Sequence, residues 1–377
     1  MEHSNSSTYF LSSYTTPETA IFAATLICII VMSMIGGITM LYILYCNDKM
    51  WNSTNMLIGN LAFTSTCVTT LVMPFSLLSV VKRKWTFGEG YICKLNGFAA
   101  SLLLLATVFT HTVISIDKYF AVVRPMSRMM TVRKTAFFIL GIWTMASAMS
   151  LVPLTGISSY VYNPTTLICG VGFPRRKTDL VYLLTLAGVG FVLPMNIMTY
   201  VYTRVYFAVK QHTARLLAHA VMSTDVLVLQ KKLILTVFAS FICFLICWST
   251  FFMLTIAALV VKDGSELPHG LGVAAYWTGY LNSALNPVII CSMSNRFKQG
   301  SLEIYRNFLG FFRVSCTTQS IYLKSKKQGK QAVHEMMDVS SGSTYGTYTL
   351  KNRFTETGLL EEQLGISNCM KNSGTKK

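Results

Sequence analysis

Groups able to do chemistry are scarce in the apolar stretches of this 377-residue chain. It has no His-Glu-x-x-His metal pair, no Gly-x-Ser-x-Gly nucleophile turn and no paired carboxylates inside an apolar run. Zinc hydrolysis, acyl transfer and two-carboxylate acid–base chemistry therefore lack their residues, and an enzyme is not expected. The ten cysteines form no Cys-x-x-Cys pair, so neither a metal site nor a cofactor is expected. His111 is the one imidazole deep inside an apolar run. An ionisable group at membrane depth is a functional candidate by default, but a lone histidine is expected to be satisfied by a carbonyl or hydroxyl. The only acid among these runs is Asp117, at an edge and followed by Lys118 and Tyr119. A proton or ion relay needs a series of acids, so a transporter or channel is disfavoured.

The elements that must position these groups follow from composition. Hydrophobic residues make up 52% and charged residues only 12% of the chain, against about 25% charged in soluble domains. Seven uncharged runs are each long enough to span a bilayer: Ala20–Cys46, Thr54–Val81, Leu95–Ile116, Thr135–Gly156, Leu180–Thr203, Leu233–Val261 and Leu267–Ser294. The expected fold is an all-α membrane protein, a seven-helix bundle over residues 20–294 behind an N-terminal segment 1–19. No internal repeat is visible.

Net charge is +17. The basic residues lie in loops and tail without interleaved aromatics, so anionic lipid and an intracellular protein are the expected partners, and nucleic acid is not. Basic residues follow the third run (Arg124, Arg128, Arg133, Lys134), the fifth (Arg204, Lys210, Arg215, Lys231, Lys232) and the seventh (Arg296, Lys298, Arg306, Arg313). This places those loops inside and the N-terminus outside the plasma membrane. The opposite side has its own clusters, Lys82-Arg83-Lys84 and Arg175-Arg176-Lys177. Asn5-Ser6-Ser7, a glycosylation acceptor, agrees with an outside N-terminus. Asn52-Ser53-Thr54 also matches but falls on the inner side, where it is silent. Residues 295–316 read as an amphipathic eighth helix on the inner leaflet, ending in Cys316, a candidate palmitoyl anchor. Residues 317–377 are polar and rich in Ser and Thr, and read as a disordered inner tail.

Local motifs then fall in order on these runs. Trp85-Thr86-Phe87-Gly88 precedes Cys93, and the third run closes with Asp117-Lys118-Tyr119. Trp143 and Pro153 lie on the fourth run, Pro194 and Tyr202 on the fifth, Phe244, Cys247 and Trp248 on the sixth, and Asn286-Pro287 on the seventh. This pattern resembles the rhodopsin-like family of G-protein-coupled receptors from about Ile21 to Phe312. The resemblance implies a disulfide between Cys93 and Cys169, which would fix a lid over a ligand pocket. It also implies a heterotrimeric G protein as partner, with receptor kinases and arrestin acting on the Ser/Thr-rich tail.

Departures from the family pattern cluster in the switch. Gly37 stands where the first helix carries Asn, and Ser65 where the second carries an Asp that binds sodium in many members, so no sodium sensitivity is expected. Lys118 replaces the arginine of Asp-Arg-Tyr, keeping the charge but losing the planar fork. By the resemblance it pairs with Asp117 at rest and faces the G protein when active. Thr250 replaces the sixth-helix proline, leaving the backbone donor and a weaker bend. Ile290 replaces the seventh-helix tyrosine, removing the hydroxyl that Tyr202 would meet. Asp117, Tyr119, Tyr202, Phe244, Trp248, Asn286 and Pro287 are retained.

The residues expected to wall the pocket are Ala100, Leu104, Trp248, Phe251, Phe252, Tyr276, Trp277 and Tyr280. Ala100 takes the place of the amine-pairing Asp and Tyr280 that of the retinal-binding Lys, which excludes monoamines by that route and covalent retinal. The basic clusters at the mouth point to an acidic ligand or a peptide. The function expected is a cell-surface receptor passing ligand binding to a G protein, with basal activity one consequence of the altered switch. The alternative is a seven-helix protein that has lost coupling and modulates a partner.

Overall fold

The computed structural model describes residues 15–47, 50–87, 90–124, 130–163, 166–218, 224–260, 270–294 and 297–306; for 212–218, 224–237, 240 and 293 it describes the backbone alone. Helix α1 (Thr16–Cys46) opens on a capping box. The Glu18 carboxylate accepts from the Thr15 N–H at 2.7 Å, and Pro17 occupies the first turn, where its missing donor costs nothing. Helix α2 is made of Ser53–Leu71 and Met73–Lys82, joined at Val72. The break lies just before Pro74, which has no N–H to give the preceding turn. Asn52 caps α2 by accepting from the Asn55 N–H at 2.9 Å.

Helix α3 (Tyr91–Val123) runs well past the apolar limits read from sequence, so Cys93 and Asp117-Lys118-Tyr119 all lie within it. Helix α4 (Val132–Leu151) ends in a 3₁₀ turn, Val152–Thr155, that contains Pro153. A hairpin follows that the sequence reading did not foresee: β1 (Tyr160–Asn163) pairs antiparallel with β2 (Ile168–Val171), Tyr162 opposite Cys169. Helix α5 consists of Lys177–Ala187, a π-turn at Gly188–Val192, and Leu193–Ala218. The π-turn has a local cause. Pro194 has no donor for the carbonyl four residues back, and the Leu193 N–H reaches instead to Gly188 O. Helices α6 (Thr224–Val260) and α7 (Leu271–Met293) complete the bundle, and α8 occupies residues 297–306.

Six of these helices are long and apolar enough to cross a membrane. The 23 residues of α7 also reach across, at about 1.5 Å each, but Asn282, Ser283 and Asn286 lower its hydropathy. Those three are buried, which places the polar side of α7 inside the bundle. The outward faces are the reverse: Ile35, Phe137, Val181 and Ile246 are each more than 60% exposed. Apolar surface so extensive is stable only against lipid.

Polar ties cross the interior between helices. Asn60 of α2 donates to Thr110 of α3 at 2.8 Å and accepts from the Trp143 indole of α4 at 3.0 Å. Ser33 of α1 bonds Thr69 of α2 at 2.8 Å. Because the Thr69 hydroxyl already donates to Ser65 O, Ser33 is the donor. Ser76 of α2 meets the Tyr280 hydroxyl of α7 at 3.0 Å. Gly36 lets α1 close on α7: a Cβ there would fall 2.6 Å from Pro287 Cβ. The chain divides into a compact unit ending at Ser301 and a second beginning at Leu302, of which residues 302–306 are described.

Candidate functional site

At one end of the bundle the hairpin is fixed over the helices. Cys93 of α3 and Cys169 of β2 form a disulfide with Cα atoms 5.4 Å apart, as the resemblance implied. Trp85 stacks on Tyr162 of β1, with ring centroids 5.7 Å apart, beside this bridge. Tyr160 sits against the bare Cα of Gly97, and its hydroxyl donates to Ser150 O at 2.8 Å. Burial pushes the Tyr160 phenol up to about 12, so it remains a donor throughout the physiological range.

Beneath the hairpin lies a cavity of about 160 Å³. Of the eight residues expected to wall it, Ala100, Leu104, Trp248, Phe251, Phe252, Tyr276 and Tyr280 do so. Trp277 does not. Its ring packs on Phe22 and its indole N–H donates to Phe22 O at 3.3 Å, so it joins α7 to α1. Its neighbour Tyr276 faces the cavity because adjacent helical residues point about 100° apart. Sequence reasoning missed the α5 wall, where Leu183, Leu186, Ala187, Gly190 and Phe191 line the cavity around the π-turn. The signal available was Gly188-x-Gly190 four residues before Pro194. Asn163 and Gly170 contribute from the hairpin. No Asp, Glu, Lys, Arg or His is among the described lining residues. Trp248 is buried, and its indole N–H has no partner among the described residues.

From the cavity floor an aromatic series descends. Trp248 and Phe244 of α6 have centroids 5.9 Å apart, and Phe244 meets the His111 ring of α3 at 4.7 Å. Tyr202 of α5 lies on Phe241 of α6 at 4.4 Å. His111 Nε2 meets neither carbonyl nor hydroxyl among the described residues. Thr250, in place of the family's proline, leaves α6 uninterrupted and bonds Thr278 of α7 through its hydroxyl.

Nearer the other end, the side chains of Ser65, Asn282 and Asn286 are buried with polar atoms that meet no partner among the described residues. Ser65 brings a hydroxyl and no carboxylate to the family's sodium position. Asn286 and Pro287 lie on α7 and Ile290 one turn further on. At the end of α3, Lys118 Nζ stands 3.3 Å from Asp117 Oδ2. Thr54 of α2 joins this pair, donating to the same oxygen at 2.6 Å and accepting from Lys118 at 3.1 Å. It belongs to Asn52-Ser53-Thr54, which sequence reasoning set aside as a silent glycosylation match. Tyr119 packs edge-on against Phe120.

The basic clusters contribute no residue to the cavity. Arg176 is held by Asp179 at 3.1 Å and by the carbonyls of Gly156 and Ile157, and Arg83 donates to Thr16. Asn5, Cys316 and the tail 317–377 lie outside the described residues.

Residues 36–290 match the family model of the 7 transmembrane receptor (rhodopsin family). The RYamide receptor of Drosophila melanogaster is 27% identical over 305 residues, covering 76% of this chain and 64% of that receptor. The chain thus spans just under two thirds of that relative. The melatonin receptor type 1C of Xenopus laevis is 24% identical over 322 residues, 84% of this chain and 73% of the relative. The crystal structure of squid rhodopsin shares the fold, with a TM-score of 0.67 at 20% identity over 79% of this chain and 89% of that one. The matched family, the buried polar interior and the lipid-facing exterior together decide the class: the chain belongs to the rhodopsin family of seven-transmembrane receptors, multi-pass proteins of the plasma membrane that are receptors rather than enzymes.

Proposed function

We propose that the protein binds a small uncharged ligand in the cavity beneath the hairpin and passes that event to a heterotrimeric G protein at the Asp117 end. The observation that carries this reading is continuity. The unpartnered Trp248 lines the cavity, and its ring contacts lead through Phe244 to His111, six residues before Asp117 on α3. The absence of charge among the described lining residues favours an uncharged ligand, because an ion buried there would lack its counter-charge. The occupied guanidinium of Arg176 argues against an acidic ligand drawn to that cluster.

In this reading the disulfide end faces outside, Asn5 carries glycan, Cys316 is palmitoylated, and the Ser/Thr-rich tail recruits receptor kinases and arrestin. The retained Asp117, Tyr119, Tyr202, Trp248 and Asn286 favour coupling over its loss. The test is a basal proximity assay in cells against a panel of G-protein families, with wild type, Lys118→Ala and Lys118→Arg. A wild-type signal abolished by Lys118→Ala and kept by Lys118→Arg supports the reading. A signal that appears only in Lys118→Arg favours the alternative, a receptor that has lost coupling at this residue.

A further inference from the structure

The pair at the end of α3 is poorly built for two residues alone. Asp117 and Lys118 are adjacent, and neighbours on a helix do not face each other. The lysine reaches a single carboxylate oxygen at 3.3 Å, with no second bond of the kind a planar guanidinium fork supplies. Yet Asp117 is buried, its side chain only 6% exposed, and a carboxylate so placed needs more than one long contact.

Thr54 supplies what is missing. Its hydroxyl gives its one proton to Asp117 Oδ2 at 2.6 Å, the short distance of a charge-assisted bond, and accepts from Lys118 Nζ at 3.1 Å. Donor and acceptor capacity are both used, and the three side chains close a ring. The threonine is itself held in place by its neighbours: Asn52 caps the same turn, and Ser53 accepts from Thr135 of α4 at 2.9 Å. Thr54 and Asp117 both line an open cleft that also includes Trp51, Thr131 and Phe297, so the ring borders the space that an incoming partner would enter.

We propose that Thr54 is the positioning residue of the switch, holding Asp117 and Lys118 closed and standing in for the second bond that a lysine cannot make. The prediction specific to this chemistry is that the need for Thr54 falls when residue 118 carries a fork. The proposal rests on the coupling reading above only for its second readout.

The experiment uses the full-length receptor in lipid nanodiscs, with Thr54→Val and Thr54→Ser each made in wild type and in Lys118→Arg. Hydrogen–deuterium exchange over residues 115–123 reads the ring itself, and the basal G-protein proximity signal reads its consequence. Thr54→Val speeds exchange by about ten-fold or more, the size of a hydrogen bond to a charged group. It also raises the basal signal, whereas Thr54→Ser matches wild type in both readouts. In Lys118→Arg the effect of Thr54→Val shrinks to about two-fold or less. Equal acceleration in the two backgrounds overturns the proposal in favour of a plain structural contact, and unchanged exchange in Thr54→Val overturns it outright. Background-dependent exchange with every G protein silent upholds the ring and counts against the coupling reading instead. If Thr54→Val fails to express, Thr54→Ala carries the same arms.

Discussion

The His111 imidazole lies 4.7 Å from the Phe244 ring, in the middle of the bundle, with its Nε2 unpartnered among the described residues. A buried polar atom without a partner costs about 1–3 kcal/mol, whereas an apolar side chain of similar shape keeps the ring contact and removes that cost. His111→Leu is therefore expected to stabilise the receptor by about 1 kcal/mol, seen as a higher melting temperature in detergent. A fall in melting temperature would show that the nitrogen is satisfied by water or an ion in the working receptor.

The uncharged cavity makes a prediction that needs no knowledge of the natural ligand. A naphthalene ring carrying in turn an acetamide, an acetate and an ethylamine presents one shape in three charge states. Only the amide is expected to raise the melting temperature of the wild-type receptor. Ala100→Asp places a carboxylate in the wall, and the amine should then become the preferred member. Stabilisation of wild type by the acetate would reverse the argument from charge.

Replacing sodium chloride by N-methylglucamine chloride should leave the wild-type melting temperature unchanged, because Ser65 offers no charge to a cation. Ser65→Asp should lower stability in sodium-free buffer by about 3 kcal/mol or more through an unpaired buried carboxylate, with part of the loss recovered on adding sodium. A sodium-specific shift in wild type would contradict this account.

Gly97 of α3 lies directly against the Tyr160 ring of the hairpin. A Cβ there would fall 2.7 Å from Tyr160 Cδ1. The ring has little room to yield while its hydroxyl donates to Ser150 O at 2.8 Å. Gly97→Ala should cost about 1–3 kcal/mol by overpacking. Combining it with Tyr160→Ala should cost less than the two single changes together. Strict additivity in the melting temperatures would mean that the helix and hairpin separate without strain.

Much of this protein was determined by its sequence alone. The lipid solvent forces long uncharged segments with internally paired backbone, so seven runs and their order could be located from composition, whereas the cavity residues Ala100, Leu104, Trp248, Phe251, Phe252, Tyr276 and Tyr280 came from the family resemblance of the motifs on those runs. The ends of α3 and α5 were less visible, because polar first and last turns look like loop when hydropathy is the only signal. Tertiary structure alone decided which side of each helix meets which neighbour. Trp277 and Tyr276 are adjacent and aromatic, yet one is tied to Phe22 and the other faces the cavity, a difference set by the rotation of α7 against α1 and α6. Thr54 is 63 residues from Asp117 in the chain and 2.6 Å from it in space. A hydroxyl carries no sequence mark of the carboxylate it will bond; only packing α2 against α3 brings the two within reach.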